Sequence, residues 1–332
     1  MNRRHFLAAP LVLAAGCVKR ESRLVVYCAQ DRGFAEGLLA DFTRETGLAV
    51  EPKYDTEANK SVSLAVELEK EAARPRCDVH WNNEILGTIR LARKGVYQPH
   101  DAPNAKPFPD WTKPPDRTWQ AFAARARVLI VNTNIVKGPP RGLLDLIEPK
   151  WKSAVAMAKP FFGTTATQAA CLFDAMGADS AKTFYRNLKS NGVSLVAGNT
   201  QVAVDVAAGR FAVGTTDTDD ALIEIQAGKP VAMIQTDDKL GTLFIPNTLA
   251  VVKNGLNPDA AEKLVEFLLR AETEKRLAEG GGFQIPLNPT ATARLPAGLL
   301  TPAQAKPMVV DFDRAADHWD DAQRFLRDTY GA

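Results

Sequence analysis

Short apolar runs rich in β-branched residues alternate along this chain with segments of helical periodicity. The run "RLVVYCA" begins at Arg23 and is followed by "FAEGLLADFTRETG", whose apolar residues recur at helical spacing until Gly47. The same order repeats twice, with strands predicted at 48–54 and 77–81 and helices at 61–74 and 84–95. Strands that alternate with helices form βαβ units, so this part of the chain predicts a mostly parallel sheet flanked by helices.

A second set of α/β units follows the stretch 98–117, which is rich in Pro and Asp and is predicted to be irregular. The predicted strands are 127–133, 154–159, 193–197, 211–216 and 242–252. The predicted helices are 165–176, 178–192, 200–210, 258–282 with a break near Ala271, and 317–330. A chain of 332 residues is long enough for two lobes. The two sets therefore predict two lobes with a cleft between them.

The first 16 residues are predicted to be a signal peptide, because a charged start precedes a short apolar run and small residues. Arg3-Arg4 resembles a twin-arginine export signal, and "LAAGC" resembles a lipobox in which Cys17 carries the lipid. Cleavage to a free periplasmic protein is the alternative. The export route, twin-arginine or general secretory, stays open.

The charge balance excludes several classes of partner. The chain has 41 basic and 39 acidic residues, and removal of Arg3 and Arg4 with the signal peptide leaves 39 of each. We therefore expect no binding to nucleic acid, and contact with a membrane only through a lipid anchor at Cys17. Three cysteines remain, Cys28, Cys77 and Cys171, and their spacing is not that of metal ligands. We expect them to be buried. Because their number is odd, at least one thiol is free, and which of them pair stays open.

Ligands of open α/β sheets bind beyond the carboxyl ends of the strands. Here that edge comprises five strand-to-helix junctions: 29–34, 81–84, 162–167, 198–201 and 215–220. The last junction holds three acids, Asp217, Asp219 and Asp220, and like charges so close need positive charge nearby. We expect at least one of them, Asp217 first, to contact a ligand cation or amine. Alternatively, Asp217 or Thr218 caps the helix and the acids favour its positive end.

Two further junctions carry polar side chains that suit a cleft. Thr164 and Thr165 open a helix, where unpaired N–H groups and the helix dipole attract an anion, or where one Thr simply caps the helix. Asn83 and Glu84 follow a buried strand, either as site residues or as a capped turn.

Three more residues complete the candidate site. Asp31 follows the first strand, and Asn199 opens a helix that it could also cap. Arg125 could reach an anion or form a surface salt bridge. His80 lies between Val79 and Trp81, and we expect a core or surface histidine there rather than a ligand.

The ordered motifs of the chain resemble one known family. They are "LVVYCAQDRGFAEGLLADFTRETGLAV", "CDVHWNNEI", "LVAGNTQVAVDVAAGRFAVG", "NTLAVVKNGLNPDAAEKLVEFLL" and "QIPLNP", and they span nearly the whole mature chain. These motifs are similar to those of the solute-binding proteins of bacterial ABC importers, in the ferric-ion-binding branch. The resemblance implies an α/β fold of two lobes, the class II periplasmic binding protein fold. Each lobe is a mixed, mostly parallel sheet flanked by helices, and the ligand cleft lies between the lobes.

The resemblance also implies the extent of each lobe and the setting of the protein. The first lobe comprises residues 18–125 and 248–298, and the second comprises 126–247 and 299–332. The family works outside the cytoplasm and delivers a ligand to ABC-transporter permease subunits. For this chain, the two sets of α/β units predict a monomer whose cleft closes on one ligand. Which permease receives the ligand is not encoded in this sequence.

At the positions where ferric members of the family hold metal, this chain has different residues. Those members use a His, a Glu and two adjacent Tyr, plus an anion on a helix N-terminus. The His position is Asp31, the Glu position falls at Asn83 or Glu84, and the Tyr pair falls at Asp217-Thr218. The segment that binds the anion in the family is more similar in this chain than the metal ligands are, and here it reads "FFGTTATQ". If a metal is bound, the resemblance makes Asp31, Glu84 and Asp217 its ligands.

Acids opposite an anion-binding helix start favour a small zwitterion or oxyanion, such as an aminoalkylphosphonate. The alternative is ferric iron or another hard metal ion bound with a synergistic anion, because carboxylates bind many hard cations alike. The chain has no GxSxG, P-loop GKS/T, HExxH or GxGxxG motif. We therefore expect a binding protein that is not an enzyme and has no resident cofactor. The alternative from another class is a cysteine-dependent enzyme on this fold, with Cys28 as nucleophile.

Overall fold

The computed structural model describes residues 23–55 and 62–331; the predicted signal peptide and Cys17 lie outside these ranges. The strands are β1 (Leu24–Cys28), β2 (Val50–Tyr54), β3 (Val79–Asn82), β4 (Gln120–Asn132), β5 (Val155–Ala158), β6 (Ser194–Val196), β7 (Val213–Asp217), β8 (Val231–Ile234) and β9 (Phe244–Val251).

The helices follow the strands in the order that the sequence predicts. They are α1 (Arg32–Thr46), α2 (Val62–Lys70), α3 (Ile85–Arg93), α4 (Gly163–Met176), α5 (Ala178–Ser190), α6 (Asn199–Ala207), α7 (Thr218–Gln226), α8 (Pro258–Leu268), α9 (Ala271–Glu279), α10 (Phe312–Asp317) and α11 (Trp319–Tyr330). In the part of the chain that is described, no helix combines the length and apolarity that a membrane span requires.

The strands form one curled mixed sheet. Its order is β2-β1-β3-β9-β4-β7-β5-β6, and β8 pairs with β4. The pairings β1–β2, β1–β3, β5–β6 and β5–β7 are parallel, as the βαβ pattern predicts. All pairings that involve β4 or β9 are antiparallel, and these two strands join the two parallel sets.

Strand β4 runs through both halves of the sheet. It pairs with β9 over 120–126 and with β7 over 127–131. The change of partner after Ala126 lies within one residue of the predicted boundary between the lobes. The full range of each lobe stays a prediction. The side chains of Arg125 and Arg127, two residues apart, flank this change and alternate along the strand with Ala126.

A bulge in β4 is held by a buried carboxylate. Ala123 has a left-handed φ of 40° at the point where the register of β4 and β9 shifts. The Glu274 side chain, 0% exposed, accepts hydrogen bonds from the N–H groups of Ala123 (2.6 Å) and Asn288 (2.7 Å). Glu274 thereby ties the "QIPLNP" segment to β4, two residues before Arg125.

The hydrophobic core lies on both faces of the sheet. Adjacent residues of one strand join different buried clusters, as Val26 and Tyr27 of β1 do, and likewise Leu249 and Ala250 of β9. This alternation is the period-2 geometry of a sheet that is covered by helices on both sides.

The sequence did not predict three elements: β8, α10 and the first half of β4. The four residues of β8 and the six of α10 are too few to establish a period. The first half of β4, "QAFAARA", is rich in Ala and contains a charged residue, yet all of β4 is buried. The Pro- and Asp-rich stretch 98–117 is irregular as predicted, with short 3-10 turns at 103–105 and 110–112.

Candidate functional site

The five strand-to-helix junctions predicted from the sequence meet around one cavity of about 40 Å³. The polar residues that line it are Asp31, Asn83, Arg125, Lys159, Thr164, Thr165, Asn199, Thr200, Asp217, Asp219 and Asp220. A water molecule needs roughly 10–15 Å³ of such space. In this conformation the cavity therefore has room for an ion with a few small groups.

Asp217 ends β7 and lies in a buried network that satisfies both of its carboxylate oxygens. Arg127 Nη1 donates to Asp217 Oδ1 at 2.8 Å. Thr164 Oγ1 and Asn199 Nδ2 donate to Asp217 Oδ2 at 2.5 and 2.9 Å. Asp217 makes no side-chain cap bond to α7, so the capping alternative considered for this residue does not describe it.

Asp219, in the first turn of α7, faces a second arginine. Its Oδ2 lies 3.3 Å from Arg125 Nε, and both residues are buried. Gln284 Nε2 also donates to Asp219 Oδ2, at 3.3 Å. Arg125 is therefore a buried ion-pair partner, not the surface salt bridge that the sequence left open.

The pKa of Arg125 depends on the carboxylates around the cavity. Burial by itself lowers the pKa of Arg125, but the carboxylates of Asp219, Asp217, Asp31 and Asp220 outweigh it and raise that pKa. Arg125 also contacts the junction between β3 and α3, because its Nη1 donates to the Asn83 carbonyl oxygen at 3.0 Å.

Asp220 is the most accessible of the three neighbouring acids. Its oxygens accept hydrogen bonds from the hydroxyls of Thr200 (2.7 Å) and Thr216 (3.3 Å). One carboxylate oxygen each from Asp217, Asp219 and Asp220 lie within 4.8 Å of one another. Oxygens on opposite sides of a cation lie up to about 4–5 Å apart, given metal–oxygen distances of about 2.0–2.6 Å, so this spacing fits a hard cation.

Four helices begin at the cavity, and in the described structure none of the four has a side-chain cap. They are α1, α4, α6 and α7. Each helix start carries roughly half a positive charge and unpaired backbone N–H groups. At α4 the first residue, Gly163, has a left-handed φ of 54°, which favours glycine and leaves bare backbone beside the cavity.

Close packing brings α6 to β7. A Cβ at Gly214 of β7 would lie 2.3 Å from Val202 Cγ1, so only glycine permits this approach. The approach places Asn199, the first residue of α6, between the α4 threonines and Asp217. Asn199 Nδ2 donates to Thr164 Oγ1 at 2.9 Å, and Asn199 Oδ1 accepts from Thr165 Oγ1 at 3.1 Å.

Two predicted site residues do not line this cavity. Glu84 caps α3, because its carboxylate accepts hydrogen bonds from Leu86 N and Gly87 N, both at 2.8 Å. It also accepts from Thr167 Oγ1 of α4 at 2.8 Å. Thr218 Oγ1 accepts from the Ala126 N–H at 3.2 Å and so holds α7 against β4. The structure gives both side chains local partners instead of a place at the cavity.

Sequence reasoning missed Arg127 and Lys159. Lys159 follows β5 and lines the cavity. Arg127 does not line the cavity but binds Asp217, which does and which lies 90 residues further along the chain. The signal for Arg127 was its position two residues after Arg125 on one strand, since residues i and i+2 share a face.

The three cysteines in the described ranges are buried, as expected for small apolar residues, and none of the three forms a disulfide bond, a point that the sequence left open. Cys28 is 0% exposed and packs in the hydrophobic core. Its thiol lies 3.7 Å from the Gln30 carbonyl oxygen, to which it donates.

Residues 89–318 match a family model described as bacterial extracellular solute-binding protein. That span is more than half of the chain. The chain belongs to the bacterial extracellular solute-binding protein family. Membership of this family confirms the solute-binding class inferred from the motifs and implies a place outside the cytoplasm.

Known relatives extend this family assignment over nearly the whole chain. The major ferric iron-binding protein of Neisseria meningitidis serogroup A is 26% identical to this solute-binding protein over 302 residues, which cover 85% of each chain. Iron-bound HitA from Pseudomonas aeruginosa superposes with a TM-score of 0.82 at 21% identity, covering 93% of this chain and 99% of HitA.

AfuA from Actinobacillus pleuropneumoniae, solved with exogenous fructose-6-phosphate bound, gives the same TM-score of 0.82 at 21% identity and covers 93% of this chain and 98% of AfuA. These structural matches confirm the two-lobed periplasmic binding protein fold.

Proposed function

We propose that this solute-binding protein captures a hard metal ion of the ferric type together with a small oxyanion, and delivers the metal to an ABC permease. One observation carries the proposal. Three carboxylates with oxygens within 4.8 Å of one another line a cavity of about 40 Å³ together with the start of α4, which has no side-chain cap. A site of this size, which offers both negative and positive charge, suits a metal ion paired with an anion.

The carboxylates nearest the cavity would hold the metal. Asp219 and Asp220 from the start of α7, with Asp31 from the opposite lobe, supply oxygen ligands, which hard cations prefer. Asp217 and Asp219 are already paired with Arg127 and Arg125, so each would share its carboxylate between its arginine and the metal. Glu84, which the family resemblance made a metal ligand, is engaged at α3.

The start of α4 would hold the anion. The helix dipole and the N–H groups of its first turn favour negative charge, and Thr165 and Lys159 also line the cavity. The anion would complete the coordination of the metal and balance part of its charge.

The names of relatives favour this proposal over the aminoalkylphosphonate that the sequence first indicated. The Neisseria meningitidis relative is named for ferric iron, and HitA was solved with iron bound. Both cover most of this chain. The His and the Tyr pair of the ferric resemblance are nevertheless replaced here and Glu84 is engaged at α3, so the protein ligands of the metal would all be aspartates.

A metal-free oxyanion, such as a phosphorylated or phosphonate-bearing solute, is the second candidate. The observation in its favour is that Asp217 and Asp219 already have buried cationic partners, Arg127 and Arg125. Lys159 and four helix starts without side-chain caps add further positive charge around the cavity. The surroundings of an anion are therefore less negative than the number of acids suggests. The fructose-6-phosphate in the AfuA structure is a solute of this class.

We further propose that the protein is a monomer that binds and does not catalyse. Cys28, the nucleophile of the rival enzyme hypothesis, lies in the hydrophobic core and not at the cavity. Lipidation at Cys17 stays a prediction, and the replacement Cys17→Ser is expected to release the protein from the membrane fraction.

Calorimetric titration tests the metal proposal. Ferric nitrilotriacetate should bind one-to-one in the presence of phosphate or carbonate and much more weakly without either anion. Asp220→Asn should weaken metal binding about 30-fold or more, since removal of one partner from a desolvated charge pair costs about 2–5 kcal/mol. Asp238→Asn, a change at an exposed acid, is the matched control and should bind as the unchanged protein does. Equal affinities for the two variants would contradict the proposed metal site.

A further inference from the structure

Arg127 is a buried cation behind the cavity that the proposed function does not yet use. Only 5% of the residue is exposed. Its Nη1 donates to Asp217 Oδ1 at 2.8 Å and to Asn199 Oδ1 at 3.0 Å, and its Nε donates to Gln168 Oε1 at 3.1 Å. Arg127 does not itself line the cavity, whereas Asp217 and Asn199 do.

Because of these contacts, Arg127 acts on a ligand through Asp217. With Arg127 charged, the pair presents no net charge to the cavity. Without it, the Asp217 carboxylate would be a full negative charge at the cavity wall, beside Asp219 and Asp220. A single buried side chain therefore determines whether this wall attracts or repels an anion.

The charge of Arg127 is balanced by Asp217, but its guanidinium is only partly hydrogen-bonded. Among the described residues, its Nη2 is buried and has no hydrogen-bond acceptor. The hydrogen bonds of Nε and Nη1 fix the plane of the group, so Nη2 cannot turn to share Asp217. One N–H donor of this charged group is therefore left without an acceptor, so negative charge near it is favoured over further positive charge.

We infer that Arg127 determines the sign of the charge that the site accepts: it suppresses binding of bare cations and admits an oxyanion, alone or paired with a metal. The inference rests on the proposed function, because it concerns the same cavity. A charge within about 4–6 Å shifts an ionic equilibrium roughly 10- to 1000-fold. Loss of the Arg127 charge should change ion affinities by factors of this size, in opposite directions for cations and anions.

The experiment compares two separate probes by calorimetry in a weakly coordinating buffer: Tb³⁺ alone, as a hard cation, and inorganic phosphate alone. For Arg127→Met we expect binding of Tb³⁺ at least about tenfold tighter and binding of phosphate at least about tenfold weaker than for the unchanged protein. Arg127→Lys, which keeps the charge, should retain the original preference. The matched control is Arg210→Met, which removes an arginine paired with Asp205 away from the cavity and should alter neither affinity.

A structural role alone would give another pattern. If Arg127→Met weakens both probes by a similar factor, the inference is overturned and the proposed function stands. Should Arg127→Met fail to fold, the double variant Arg127→Met/Asp217→Asn decides, since it removes both charges. A ratio of phosphate to Tb³⁺ affinity near that of the unchanged protein would support the inference, and a ratio shifted tenfold or more towards Tb³⁺ would overturn it. If the unchanged protein binds no phosphate and Arg127→Met gains no binding of Tb³⁺, the inference falls, whereas the proposed function is tested separately by the titration of ferric nitrilotriacetate with an anion present.

Discussion

Replacement of Asp217 by Asn should destabilise the fold, and the size of the loss follows from the contacts of this residue. Both oxygens of Asp217 accept hydrogen bonds, one from Arg127 and the other from Thr164 and Asn199. An asparagine can keep one acceptor oxygen, but its NH₂ group would then face donors. Whichever way the amide turns, Arg127 loses its carboxylate partner.

Removal of one partner from a buried ion pair costs about 3–5 kcal/mol, because the remaining charge is left uncompensated. We therefore expect Asp217→Asn to lower the free energy of unfolding by about 3–5 kcal/mol. If Asp217 only capped α7, the loss would be a few tenths of a kcal/mol, since Asn caps helices about as well as Asp. The two interpretations differ by roughly tenfold in the measured quantity.

The assay is urea unfolding of the ligand-free protein, followed by circular dichroism and by tryptophan fluorescence to check that the transitions coincide. Asp238→Asn, at an exposed acid, should stay within about 0.5 kcal/mol of the unchanged protein. The double variant Asp217→Asn/Arg127→Met should recover part of the loss because no buried charge remains unpaired. A loss below about 1 kcal/mol for Asp217→Asn, or no recovery in the double variant, would refute the buried-pair account.

Three further predictions concern other parts of the molecule. Burial lowers the pKa of His80 to about 3, so below pH 6.5 the unfolded chain takes up a proton that the folded chain does not. The free energy of unfolding should therefore fall by roughly 2 kcal/mol between pH 6.5 and pH 5, and His80→Gln should lack this loss in urea titrations at both pH values. Thr165→Val should weaken phosphate binding about tenfold in calorimetry, because one hydrogen bond to a charged group contributes about 1.5–3 kcal/mol, and should lower the free energy of unfolding by only about 1 kcal/mol through the lost hydrogen bond to Asn199. Cys28 should resist iodoacetamide in the native protein, and rapid alkylation that ligand prevents would favour the enzyme hypothesis instead.

The sequence predicted most of the elements and the edge of the sheet where the cavity lies. Both follow from local rules: apolar periodicity identifies strands and helices, and parallel strands bring their carboxyl ends together. Asp31, Asn83, Thr164 and Asp217 therefore reach one cavity although they are far apart in sequence.

The partners of the acids could not be predicted in the same way. Asp217 was expected to face a ligand cation, but its cation is Arg127, 90 residues away on an antiparallel strand. No local pattern links the two residues, and charged side chains inside a strand weaken the apolar signal by which strands are recognised. The role of Glu84 could not be decided from the sequence for a related reason: a polar residue after a strand can cap a helix or line a cleft equally well, and in the structure Glu84 caps α3.

Native mass spectrometry of the mature protein, incubated with ferric nitrilotriacetate and phosphate and then desalted, tests the central claim most directly. We predict a single species with one iron and one phosphate per chain, which reverts to the unliganded mass after treatment with a strong chelator. An unchanged mass, or a complex with phosphate but no metal, would contradict the proposed metal site, and the second result would favour the metal-free oxyanion.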